Sequence, residues 1–96
     1  MSTNEVKNII LEYLKTYNPQ FIGLFGSYIR KENTKKSDID ILVRFPNGIS
    51  LLQLIHLENI LSDKLGVKVD LITEGSLKNK RIKENIRNDL QIIFQT

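Results

Sequence analysis

The chain has 96 residues, of which 41% are hydrophobic and 26% charged, with a formal net charge of +3 and no cysteine. This mixture is typical of a small globular protein, and we expect one domain over residues 1–96. Without cysteine, disulfides and thiolate zinc sites are excluded and a cytoplasmic location is favoured. No apolar run approaches the roughly 18 residues of a membrane span, and the charge is too small to indicate nucleic-acid binding.

The N-terminal residues predict an amphipathic helix. Ser2 and Glu5 have the three-residue spacing of a capping box, which marks a helix start. Asn18-Pro19 predicts the end of the helix, because the residue before a proline disfavours the helical conformation. The predicted apolar stripe consists of Val6, Ile9, Ile10, Tyr13, Leu14 and Tyr17.

A short strand and a helical turn are predicted next. Gln20–Phe25 is a β-rich run that Gly26 closes, as expected of a buried strand. A helical turn is predicted from Ser27 to about Lys31. The polar segment 32–37 then predicts a lysine-bearing loop.

The following strand is predicted over Asp38–Phe45, because polar and apolar residues alternate along it. The alternation places Asp38 and Asp40 on one face, together with Leu42. The other face, which we expect to be the core face, carries Ile39, Ile41 and Val43.

A turn at Pro46-Asn47-Gly48 leads to a long helix over Ser50–Leu65 that Gly66 ends. This helix has more apolar residues than one buried face needs. Its predicted core stripe is Leu51, Leu54, Ile55, Leu61 and Leu65. The apolar residues outside that stripe are Leu52, Leu57 and Ile60. Either the fold covers both sides, or the second set is a patch that binds another chain.

The last third of the chain adds a strand over Val67–Ile72 and a basic helix over about 77–88 that Ser76 caps. We interpret the basic helix as a solvated face, with contact to an acidic partner or RNA as the alternative. Leu90–Phe94 predicts either an edge strand or a tail that docks elsewhere. The element order predicts an α/β fold, with helices packed on a small mixed β-sheet.

Three aspartates are candidate catalytic and metal-binding residues. Asp38 and Asp40 lie two apart on a strand, with Cα atoms about 6.5–7 Å apart, so their charges repel unless a cation intervenes. Mg²⁺ suits this role, because it prefers oxygen ligands and combines carboxylates with substrate phosphates. Asp70 can approach the same ions if its strand neighbours theirs. Three carboxylates suit a two-metal site.

Gly26-Ser27 is the candidate phosphate-binding element. A glycine after a buried strand lets the backbone approach a phosphate, and the amides that open a helical turn favour an anion. Taken singly, the Gly-Ser pair is an ordinary turn and each aspartate an ordinary solvated residue. The combination supports a nucleotide site, with Arg30, Lys35 and Lys36 as further candidate phosphate ligands.

The combined pattern G-S-x10-D-x-D, followed about thirty residues later by Asp70, resembles the signature of the DNA polymerase β-like nucleotidyltransferases. With a chain this short, it is similar to the minimal nucleotidyltransferases (MNT proteins). The resemblance covers essentially the whole chain and implies the nucleotidyltransferase fold of that superfamily. Arg30 is followed by Lys31-Glu32, which matches only part of the family's loop pattern.

The resemblance also implies roles for residues and a partner. Gly26 and Ser27 would bind the triphosphate of ATP, Asp38 and Asp40 would bind Mg²⁺, and Asp70 would act as the catalytic base. The implied partner is a HEPN-domain ribonuclease toxin. The MNT protein would be its antitoxin and would transfer AMP to a tyrosine of the toxin.

Three functions remain open at this point: an AMP-transferring antitoxin, a non-catalytic antitoxin or nucleotide-binding subunit that acts by occlusion, and a small-molecule nucleotidyltransferase completed by homo-oligomerisation. The intact Ser27, Asp38, Asp40 and Asp70 disfavour occlusion alone, because binding needs no metal cluster. The short chain disfavours a small-molecule acceptor site. We therefore expect the antitoxin enzyme.

Overall fold

The computed structural model describes residues 3–25, 39–73 and 90–96. Its elements are the helix α1 (Thr3–Leu14), a 3₁₀ turn (Lys15–Tyr17), the strands β1 (Phe21–Phe25) and β2 (Ile39–Arg44), the helix α2 (Leu51–Leu65), and the strands β3 (Val69–Thr73) and β4 (Gln91–Gln95). The predicted helical turn after Gly26, the loop 32–37 and the basic helix 77–88 lie outside these ranges. Neither described helix is long and apolar enough to cross a membrane.

The four described strands form one mixed sheet in the order β3-β2-β1-β4. β1 pairs antiparallel with both β2 and β4, whereas β2 and β3 run parallel. Parallel neighbours need a crossover connection, and α2 provides it here. The apolar C-terminal run is therefore an edge strand of the described sheet, which was one of the two predicted alternatives. The predicted fold class, a mixed sheet with packed helices, is confirmed.

Local signals in the sequence set both ends of α2 and the C-terminal end of the first helix, whereas the predicted cap Ser2 lies outside the described residues. The Ser50 hydroxyl accepts a hydrogen bond from the Gln53 N–H, and the Gln53 side chain accepts one from the Ser50 N–H. This capping box starts α2, and Gly66 ends it in the left-handed conformation at φ +71°. Asn18 also adopts the left-handed conformation, immediately before Pro19, where the first helix was predicted to end.

The core that the structure describes lies between α1, α2 and one face of the sheet. Its buried residues are Val6, Ile10 and Leu14 from α1, Leu57, Leu61 and Leu65 from α2, and Ile22, Leu24, Ile39, Ile41, Val43, Val69 and Leu71 from the strands. The predicted alternation in β2 and the predicted stripe of α1 are therefore confirmed. Since strand residues alternate between faces, Asp40 and Asp70 belong to the opposite face of the sheet.

The predicted orientation of α2 is wrong in part. Leu51 and Ile55 were expected in the core but are 70% and 43% exposed, whereas Leu57 was expected outside it and is 2% exposed. Of the other residues placed outside the predicted stripe, Leu52 is 80% exposed and Ile60 is half-buried. The helix packs on the core along the row Leu57, Leu61 and Leu65, whose members lie four apart. The exposed residues form an α2 patch of Leu51, Leu52 and Ile55.

Candidate functional site

The pairing of β2 with β3 brings two of the three predicted acids together. In this parallel register Asp40 lies opposite Asp70. Neighbouring strands are about 4.8 Å apart, and residues at the same register position share a face of the sheet. The residues that flank both aspartates along their strands are buried in the core. Both carboxylates therefore lie side by side on the face of the sheet opposite the one that packs against α1 and α2.

The surroundings of the two acids allow water and ligands to reach them. Asp40 is half-buried, and the Asp70 side chain is 36% exposed. Lys68 Nζ lies 4.0 Å from Asp70 Oδ1, and this lysine side chain is 70% exposed. An ion pair that long and that exposed contributes little, so Lys68 holds Asp70 only weakly. Carboxylate oxygens are the ligand type that Mg²⁺ prefers, so the pair is a candidate site for a divalent cation.

Asp40 also lies next to the end of β1. Its antiparallel partner is Phe25, which is the last residue of that strand and is 3% exposed. The other predicted site residues lie outside the described ranges, and they are Gly26, Ser27, Arg30 and Asp38. Within those ranges no group of three metal-ligating side chains occurs, and the third predicted carboxylate belongs to the part of the chain not described.

Two polar side chains of α2 hold the outer edge of β3, which the sequence analysis did not predict. Ser62 Oγ accepts a hydrogen bond from the Val69 N–H at 2.9 Å, and Glu58 Oε2 accepts one from the Leu71 N–H at 3.0 Å. The two bonded amides flank Asp70. Glu58 and Ser62 lie four apart, beside the buried row of the helix. Their positions did not predict these hydrogen bonds, because polar residues at the boundary of a buried face usually contact only water.

A family comparison defines the class of this fold. The sequence matches the nucleotidyltransferase domain family over residues 5–93, which is most of the chain. The chain belongs to this nucleotidyltransferase family. The matched segment includes β1, β2 and β3, so the paired aspartates lie within the shared domain. The family and the enzyme class predicted from the sequence are therefore confirmed.

Two relatives match the nucleotidyltransferase over nearly its whole length. A protein of Methanocaldococcus jannaschii, provisionally named a protein adenylyltransferase, is 48% identical over 91 residues, covering 91% of this chain and 93% of the relative. The protein adenylyltransferase MntA of Thermococcus cleftensis is 40% identical over 91 residues, covering 91% and 92%. The nucleotidyltransferase is therefore similar in extent to both relatives.

Solved structures share the fold. A chain in the crystal structure of a toxin–antitoxin with AMP-PNP matches with a TM-score of 0.81 and 26% identity, over 94% of this chain and 73% of that one. A chain in the structure of tri-AMPylated Shewanella oneidensis HEPN toxin in complex with MNT antitoxin gives 0.78 and 24%, over 99% and 74%. At 24% identity the second match shows the fold alone.

Proposed function

We propose that the nucleotidyltransferase is an antitoxin enzyme that transfers AMP from ATP to a tyrosine hydroxyl of a cognate HEPN toxin. The observation that carries the proposal is the β2–β3 register, which sets Asp40 beside Asp70. Relatives named as protein adenylyltransferases support a protein acceptor. The similar toxin–antitoxin structure with AMP-PNP, an ATP analogue, supports a toxin as acceptor and ATP as donor.

The donor atoms of the site fit magnesium. Asp40 and Asp70 offer hard carboxylate oxygens side by side on a face that water reaches, which is the ligand type that Mg²⁺ prefers. Asp38, two residues before Asp40, is proposed as the third ligand. Two Mg²⁺ ions held by these residues would neutralise charge on the phosphates and on the leaving pyrophosphate.

The proposed reaction is a displacement at the α-phosphorus of ATP. The acceptor oxygen forms a bond to the α-phosphorus, and the bond from that phosphorus to the oxygen bridging to the β-phosphate breaks. Pyrophosphate leaves with the electron pair of the broken bond. Asp70 accepts the proton of the acceptor hydroxyl, a role that its partial exposure on an outer strand of the described sheet supports.

The triphosphate is proposed to bind at the junction that follows β1. Phe25 is the strand partner of Asp40, and Gly26 is the next residue in the chain. The peptide bond therefore keeps Gly26 close to the end of the sheet that carries Asp40 and Asp70. Gly26 and Ser27 would offer backbone and hydroxyl donors to the phosphates, and Arg30 would neutralise part of their charge.

The α2 patch is proposed as part of the toxin-binding surface. Leu51, Leu52 and Ile55 are neighbours on the first two turns of α2, and each is at least 43% exposed. Clustered exposed apolar side chains commonly mark a surface that binds another protein. A second copy of the chain is the alternative occupant of this patch.

Transfer of labelled AMP tests the proposal directly. With ATP labelled at the α-phosphate, Mg²⁺ and the cognate HEPN toxin, we expect label on the toxin. Asp40→Asn and Asp70→Asn should each lower the rate by at least about 100-fold, because each removes a charge that the transition state uses. The control is Asp63→Asn, which removes an exposed acid from α2 and should retain the rate.

Two results of this assay would count against the proposal. One is full transfer by a folded double variant of Asp40 and Asp70, which would exclude the paired acids from catalysis. The other is unchanged labelling after every toxin tyrosine is replaced by phenylalanine, which would exclude tyrosine as the acceptor.

A further inference from the structure

β3 is an outer strand of the described sheet. The backbone N–H groups on its outer side donate hydrogen bonds to side chains of α2. On the inner side, the Ile39 N–H donates to the Lys68 carbonyl at 2.9 Å and begins the pairing with β2. On the outer side, the amides of Val69 and Leu71 have no strand to bond within the described sheet. Their acceptors are instead the side chains of Ser62 and Glu58.

These two hydrogen bonds bracket one residue. Val69 and Leu71 are the neighbours of Asp70 on either side, so the peptide groups before and after Asp70 are both fixed from α2. The direction of the Asp70 Cα–Cβ bond follows from those peptide groups. Val69 and Leu71 also place their own side chains in the core, which holds the same segment from the helix-covered face.

We propose that Glu58 and Ser62 are positioning residues for the transfer reaction, because together they fix the strand segment that presents Asp70. This inference rests on the proposed function of Asp70. A reacting group must be held within about 0.5 Å of its productive geometry. An outer strand whose amides are bonded only to water opens more readily than one bonded on both sides.

The chemistry of the two acceptors allows a conservative test. Glu58→Gln keeps a carbonyl oxygen that can accept from the Leu71 N–H, whereas Glu58→Ala removes the acceptor. Ser62→Thr keeps the hydroxyl, whereas Ser62→Ala removes it. If Glu58 acted through its charge, the glutamine variant would be as defective as the alanine variant.

Ser50→Ala is the matched control for helix stability. It removes the hydroxyl of the capping box at the start of α2, and the hydrogen bonds to β3 are made by residues further along the helix. It should therefore destabilise the same helix without freeing Asp70.

The experiment measures kcat and KM for AMP transfer to the toxin at a temperature where every variant is folded. We expect Glu58→Ala and Ser62→Ala each to lower kcat by about 10- to 100-fold, the range typical of residues that orient an active-site ligand, with little change in KM for ATP. Glu58→Gln and Ser62→Thr should restore kcat to within a few-fold. Ser50→Ala should keep the kcat of the unchanged enzyme.

Amide hydrogen exchange of Val69 and Leu71 gives a second readout that does not depend on activity. Exchange should accelerate in the alanine variants and stay slow in Glu58→Gln. A kcat in both alanine variants equal to that of Ser50→Ala would overturn the inference, as would a glutamine variant as slow as Glu58→Ala. Ser62→Ala decides the question if Glu58→Ala does not fold. Full activity of Asp70→Asn would instead remove the proposed role of Asp70, and the positioning role with it.

Discussion

Gly23 is the residue of β1 where the C-terminal segment contacts the acid-bearing face of the sheet. A Cβ at this position would lie 2.5 Å from Leu90 Cδ1 and 3.2 Å from the Phe21 ring. Its neighbours in β1 point into the core, so Gly23 belongs to the face that carries Asp40. A glycine here lets Leu90 approach the strand backbone closely.

We expect Gly23→Val to lower the free energy of unfolding by about 1–3 kcal/mol, because the added side chain must displace Leu90. Leu90→Ala should be less harmful in the valine background than alone, since it opens the space that valine needs. Urea denaturation of both single variants and the double variant measures the coupling, which we expect to be at least about 0.5 kcal/mol. Strictly additive costs would show that the two side chains do not compete for one space.

The sequence predicted part of this residue-scale arrangement. The period-two alternation of β2 placed Asp40 opposite the core face, and the structure places Asp70 on that same face. That the two strands are neighbours could only be stated as a condition, because sheet order depends on contacts between distant segments. The crowding at Gly23 was not predicted for the same reason, since Leu90 lies 67 residues further along the chain.

At the scale of elements, α2 shows which features are determined by local sequence signals and which by contacts with distant segments. Ser50 and Gly66 fix its ends through hydrogen bonds and a left-handed turn within a few residues, so both ends could be predicted. Its rotation about its own axis depends on where the sheet lies, and apolar residues on several sides fit more than one rotation. Glu58 and Ser62 were missed because their role requires β3 to be an outer strand.

Paired leucine-to-alanine substitutions test the observed rotation of α2. Leu57→Ala should lower the free energy of unfolding by about 2–5 kcal/mol, because it leaves a cavity in the core. Leu52→Ala should change it by no more than about 0.5 kcal/mol, because that side chain is exposed. Urea denaturation of the two variants, which carry the same chemical change, measures the difference.

For toxin affinity we expect the opposite order, with the larger loss at the exposed positions. Leu52→Ala and Ile55→Ala should weaken the complex while leaving the isolated chain as stable as before, since both belong to the α2 patch. Equal losses of stability at positions 52 and 57 would contradict the rotation. Unchanged toxin affinity in both patch variants would contradict the proposed surface.

At the scale of the whole molecule, one face of the sheet contributes to stability and the other face carries the candidate site. One face packs against both helices and holds the described core, whereas the other carries the paired aspartates. A chain of 96 residues has a small margin of stability. A ligand that binds only the folded state adds to that margin by mass action. Binding of nucleotide with magnesium should therefore change the stability of the entire fold.

The thermal midpoint of unfolding in ATP, with Mg²⁺ or with EDTA, tests the central claim that the paired aspartates form a metal-dependent nucleotide site. At ATP concentrations of about 100 times Kd, we expect Mg²⁺ to raise the midpoint by about 10 °C or more, and EDTA to remove most of this shift. The shift should persist in Asp63→Asn and disappear in the double variant Asp40→Asn, Asp70→Asn. An equal shift in EDTA, or in that double variant, would contradict the account.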